Sequence, residues 1–145
     1  MGPYFYVHVE SLVHQPYVGD VAGNNVGECV SLVKHYIPGL ANLRTTTWIK
    51  GQDVIETIKN GGTFFMGTAI ATFIDGRFQS GNGHAGFYAG HVNDPKEGIR
   101  IYIVEQYLHP PTGGIQKRLL HSTENDEAGH YRGISNIGTK FSVIL

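Results

Sequence analysis

"IRIYIVEQYL", residues 99–108, is the stretch on which the fold turns. Its β-branched and aromatic residues follow a period of two, and successive side chains of a strand point to opposite faces of a sheet. Ile101, Ile103 and Glu105 share one parity and are expected to face inward, whereas Arg100, Tyr102 and Gln106 share the other. Upstream, "GTAIATF" (67–73), "GRFQS" (76–80) and "HAGFYAG" (84–90) read as further short strands, with "IDGR" and "NDPKEG" as hairpin turns between them. Downstream, "HSTENDEAGH" (121–130) reads as an exposed polar loop and "KFSVIL" (140–145) as one more strand. The middle of the chain is therefore expected to be antiparallel sheet.

The first part of the chain has a different period. Val30, Val33, Tyr36 and Ile37 recur at three- and four-residue steps until Pro38-Gly39 stops them, which predicts a helix over residues 28–36. A second helix is predicted over residues 51–59, where Val54, Ile55 and Ile58 share a face and Asn60-Gly61-Gly62 offers a left-handed ending. Helices first and sheet afterwards indicate an α+β domain.

The chain's 145 residues suit a single domain, 1–145, with 41% hydrophobic and 16% charged residues, a globular composition. Eleven basic residues against twelve acidic ones exclude binding driven by phosphate neutralisation, so no nucleic-acid partner is expected. No run approaches the roughly 20 apolar residues of a membrane helix, and the N-terminus lacks the basic start and apolar core of a secretory signal. Synthesis in the cytoplasm without a signal peptide is the expectation. The single cysteine, Cys29, cannot form an internal disulfide.

Cys29 falls at the start of the first predicted helix, after the glycine-rich "GNNVG". Unpaired amides and the positive dipole end favour a thiolate there, so Cys29 is a candidate nucleophile; the other reading is a small residue filling the core. A nucleophile of this kind needs a histidine base within reach. Among eight histidines, His84 opens a strand between small residues, which fixes its ring and leaves an approach for a substrate. In a regular strand His84 and His91 have opposite parity, so only one of them can meet the helix, and its glycine surroundings make His84 the chosen base. Glu105, a carboxylate on an apolar strand face, is costly unless paired, and it fits the group that orients the imidazole; the alternative is a solvated edge residue. There is no HExxH, CxxC or phosphate-loop pattern, so neither metal nor cofactor is expected.

Taken together, "GECVSLVK", "GHAGFYAG" and "IYIVEQY" resemble the Cys, His and Glu segments of the CHAP and NlpC/P60 amidases, papain-like enzymes that cut peptide bonds in the bacterial cell wall. With "WIKGQDV" and "GTAIATFIDGRF" between them, the chain from Val18 to Tyr107 is similar to the type VI secretion amidase effectors, specifically the third amidase effector family. The resemblance implies a papain-like domain with the nucleophile helix packed on an antiparallel sheet. It also implies Cys29 as nucleophile, His84 as general base and then acid, Glu105 as its orienting partner, and the Cys29 amide as an oxyanion donor. Two positions depart from the CHAP pattern: Glu28 replaces the usual Gln before the nucleophile, and Tyr107 stands where Asn is frequent. Trp48 and Tyr107 are assigned to the substrate cleft, with a core anchor as the other place open to Trp48. The implied substrate is peptidoglycan in the periplasm of a target bacterium, and the implied partners are a type VI secretion apparatus and a cognate immunity protein. Two rival functions use the same residues: a papain-like deamidase or protease acting on protein, and a non-catalytic wall-binding module in which Cys29 is structural.

Overall fold

The structure is a computed structural model that describes residues 3–109 and 111–145. Its main elements, in chain order, are α1 (Cys29–Tyr36), β1 (Lys50–Asp53), α2 (Val54–Lys59), β2 (Ala69–Thr72), β3 (Ala85–Asp94), β4 (Gly98–Glu105), β5 (Gln116–Leu119) and β6 (Phe141–Ile144). The six strands form one sheet in the order β1-β6-β2-β3-β4-β5, and every neighbouring pair is antiparallel. The expected α+β class is what the chain adopts.

The sheet is buried on both faces because its strands alternate between two cores. Leu32 and Val33 of α1 pack with Ala69, Ala71, Ala85, Phe87 and Val104 on one face. Val54, Ile55 and Ile58 of α2 pack with Ile70, Tyr88, Ile101, Ile103 and Phe141 on the other. Small alanines under α1 let that helix approach the sheet closely. With six residues, α2 is too short to be stable alone; burial of its three aliphatic side chains, at about 1.5–3 kcal/mol each, holds it in place.

Four elements differ from the sequence reading. The second helix starts at Val54 instead of residue 51, because Lys50–Asp53 is recruited as an edge strand against β6, where Ser142 donates to the Asp53 carboxylate at 2.7 Å. "GRFQS" forms no strand beyond an isolated bridge between Ile74 and Arg77, since Phe78 turns inward against Trp48. Strand β5 was not expected: its residues pair Gln116 with Glu105 and Arg118 with Ile103. Finally, β3 carries a bulge between Tyr88 and His91, opened by Gly90 at φ 103°. Tyr88 pairs with Ile103 and His91 with Ile101, so the bulge returns His91 to the face of Tyr88, whose hydroxyl lies 2.9 Å from His91 Nδ1. The parity argument that separated His84 from His91 fails for this reason, although His91 is exposed and far along the strand from the residues below.

Candidate active site

The approach to α1 is a tight turn whose positive φ values fall at Gly23, Asn25 and Gly27. Gly27 is required twice over: its φ is 87°, and a Cβ there would lie 2.5 Å from Leu108. The turn delivers Cys29 to the first position of α1, partly exposed and on the wall of a cleft of about 280 Å³ that Glu28, Thr45, Phe78, Gly83 and Tyr107 also line.

The sulfur rests against main chain. Its Sγ–H donates weakly to the Gly83 carbonyl at 4.0 Å, and the Ala85 amide also reaches it, so the thiol touches the peptide groups on both sides of His84. The helix-start amides of Cys29 and Val30 do favour the thiolate, as expected, but burial outweighs them. Burial pushes the thiol up to about 11, with the Glu28 carboxylate adding to the rise against the opposing Ala85 amide. At neutral pH the group is a thiol.

His84 is fully buried. Its main chain is fixed to β2 at both groups, with the amide donating to Thr72 Oγ1 at 3.0 Å and the carbonyl accepting from the Thr72 amide at 2.9 Å. Its Nε2 donates to Glu105 Oε1 at 2.7 Å. The Tyr107 ring stacks on the imidazole at 4.3 Å with an interplanar angle of 2°. Nδ1 has no hydrogen-bond partner, and no hydrogen bond joins it to Sγ among the described residues. Because an ionised carboxylate only accepts, Nε2 carries the hydrogen and Nδ1 presents a lone pair. Burial lowers the imidazole pKa against the opposing pull of Glu105, so the ring is neutral and able to take a proton.

Glu105 is also fully buried, yet it is ionised. Burial alone would raise its pKa, but hydrogen bonds from His84 and Arg118 hold it down at about 2. Arg118 donates through Nε to Oε2 at 2.6 Å and through Nη2 to Oε1 at 2.9 Å, while Gln116 Nε2 donates to Oε2 at 2.6 Å. Arg118 is itself held by Asn136 Oδ1 at 2.5 Å and the Ser135 carbonyl at 2.9 Å. A carboxylate with this many donors satisfies the condition for burying a charge.

The structure thus brings Glu105 into contact with His84, and Cys29 against the backbone of His84. Tyr107 lines the cleft beside Cys29. Trp48 does not line it: 4% exposed, it packs behind Phe78 with ring centroids 5.0 Å apart, and the core-anchor reading is the one the coordinates support. Sequence reasoning missed Gln116 and Arg118, for which the alternate positions in "IQKRLL" are too short a pattern to signal a strand, and Gln106, which was read only for its parity. Among the described residues no three His, Cys, Asp or Glu side chains converge as metal ligands, and no helix is long and apolar enough to cross a membrane.

Comparison with known proteins agrees with this picture at the level of family. A family model described as domesticated amidase effector 2 matches residues 6–132. The type VI secretion amidase effector 2 protein of Salmonella typhi is 31% identical over 150 residues, covering 98% of each chain. Both point to the second amidase effector family, where the linking segments had resembled the third. No solved structure matches.

Proposed function

The chain belongs to the domesticated amidase effector 2 family, and on that premise we propose that it is a papain-like cysteine amidase hydrolysing peptide bonds of peptidoglycan. The observation that carries the chemistry is the buried chain Arg118–Glu105–His84, which ends on the unpartnered Nδ1 of a residue whose two flanking peptide groups reach Cys29 Sγ.

In the proposed reaction a stem-peptide or crosslink amide enters the cleft against Tyr107 and Phe78. As Sγ attacks the carbonyl carbon, its proton passes to His84 Nδ1, so a neutral thiol, a neutral imidazole and the amide carbonyl become a C–S bond, an oxyanion and an imidazolium in one step. Glu105 stabilises that imidazolium and holds the ring in its tautomer. The Cys29 amide, in the first turn of α1 where N–H groups have no intrahelical acceptor, donates to the developing oxyanion. The tetrahedral intermediate collapses with the His84 proton going to the leaving amine. Water, deprotonated by the same nitrogen, then releases the acyl group and restores the thiol.

As a type VI effector acting on cell wall, the protein would work in the periplasm of a recipient cell, and its producer would need an immunity protein over this cleft. The test is digestion of purified sacculi with the wild-type protein beside Cys29→Ala, followed by mass analysis of the muropeptides. New peptide ends are expected with the wild type alone. Intact sacculi together with modification of a protein substrate would transfer the same site to a deamidase or protease. Activity that survives in Cys29→Ala would return the cysteine to a structural role.

A further inference from the structure

We propose that Gln106 is a positioning residue that aims the oxyanion-binding amide of Cys29 into the cleft; the inference rests on the amidase reading above. Gln106 follows the last residue of β4 and is fully buried. Having the opposite parity to Glu105, it faces α1, while Glu105 faces His84. Its side-chain amide makes three hydrogen bonds: Oε1 accepts from the Val18 amide at 3.0 Å, and Nε2 donates to the Val18 carbonyl at 2.9 Å and to the Glu28 carbonyl at 2.8 Å.

The bond to Glu28 matters because of what lies across that peptide. Glu28 and Cys29 share one planar trans unit, in which the carbonyl and the N–H point in opposite directions. Fixing the Glu28 carbonyl toward Gln106 fixes the Cys29 N–H away from it. Glu28 itself, the residue at the helix cap, makes no side-chain capping bond, and its carbonyl takes one longer bond from the helix backbone, the Ser31 amide at 3.2 Å, so Gln106 at 2.8 Å is the side chain that aims this peptide. Both hydrogens of Nε2 are already engaged, which excludes Gln106 from donating to the oxyanion directly. Its effect passes through the Glu28–Cys29 peptide.

This role separates two reactions of the same sulfur. Amide hydrolysis passes through an oxyanion, whereas alkylation by iodoacetamide is a displacement at saturated carbon and needs no oxyanion donor. Gln106→Met, close in volume and without polar atoms, is expected to lower kcat for muropeptide cleavage by roughly 100-fold, the typical cost of losing one such donor, with KM little changed. Alkylation of Cys29 should stay within about twofold of wild type under the same conditions. Gln106→Glu provides the second variant should the methionine protein fold poorly. Its carboxyl keeps the bond from Val18 N–H and regains a donor only when protonated, so its kcat relative to wild type should recover as pH falls. Hydrolysis and alkylation falling in parallel, or an unchanged kcat in Gln106→Met, would overturn the role of Gln106. The amidase reading is scored separately, by wild type against Cys29→Ala, and crystals of Gln106→Met that retain the Glu28 carbonyl orientation would refute the inference whatever the substrate proves to be.

Discussion

The two faces of the sheet present their reactive groups in opposite ways. On the α1 face Cys29 is partly exposed and hydrogen-bonds only to main chain, at the start of a helix with no side-chain cap. On the α2 face His84 and Glu105 are fully buried, and Arg118 and Gln116 close a network in which Nδ1 alone has no partner. The proposed nucleophile is held by backbone at the cleft wall, while the proposed base is held by charges that need one another. Substitution on the first face should therefore touch activity alone, and substitution on the second should touch activity and stability together.

The largest effect expected is on activity from Cys29→Ala. Loss of the nucleophile in catalytic groups of this type costs roughly 10⁴- to 10⁶-fold, which puts muropeptide release below detection. The melting temperature should stay within roughly 3 °C, under about 1 kcal/mol for a domain of this size. A Cys29→Ala protein that melts far lower would mean that the sulfur is a core atom, and the contrast between the faces would be lost.

Glu105→Ala comes next, and it should fail on both counts. It leaves the Arg118 guanidinium partly buried without its carboxylate and His84 without its acceptor, a loss of about 3–5 kcal/mol of the kind that follows removal of one member of a buried pair. Calorimetry measures it. Combining Glu105→Gln with Arg118→Met removes both charges and should return much of the stability without returning hydrolysis. Recovery of activity in that double variant would show that the carboxylate serves folding only.

The faces should also titrate in opposite directions. Burial lowers the folded-state pKa of His84, so the unfolded chain binds the extra proton first, and this group's contribution is full above about 6.5 and falls as the pH drops below that value. Glu105, held at about 2 against an ordinary 4.5, contributes stability above about 4.5 that is lost between 4.5 and 2. Melting temperatures should accordingly decline in two stages on acidification, and the second stage should shrink in Glu105→Gln, with the remainder carried by Glu97, also held at about 2, and by the lowered Asp53 and Asp94. Cys29, pushed up to about 11, should show iodoacetamide rates climbing about tenfold per pH unit from neutrality, as thiolate fraction does. A flat rate from pH 6 to 9 would reveal a preformed thiolate–imidazolium pair.

The α1 helix and the strand at 99–105 were legible because each follows from a local period, and the contact of Glu105 with His84, on which the proposed trio with Cys29 is built, because a polar residue on an apolar face is a chemical oddity. The supports of that trio were not. Arg118 meets Glu105 through the register of β5 on β4, and four residues of mixed polarity carry too little periodicity to announce a strand. The bulge at Gly90 reverses a parity count that no sequence rule anticipates without knowing the partner strand. The thiol's pKa depends on how deeply the finished cleft buries it, which opposes the helix-end effect that the sequence does display.

Trp48 provides the smallest effect and the finest check on where the cleft ends. It lies behind Phe78, buried, with Nε1 unpaired. Trp48→Phe removes ring volume, which costs about 1–3 kcal/mol in a packed core, and also removes a buried donor that lacks an acceptor, which returns about 1–3 kcal/mol. The two nearly cancel, so stability should move by no more than about 1 kcal/mol in a denaturant melt. Since only Phe78 meets the cleft, KM for muropeptide should change less than about twofold, well under 1 kcal/mol of binding. A tenfold rise in KM with stability unchanged would place the indole against the substrate and move the cleft wall one layer deeper than the structure has it.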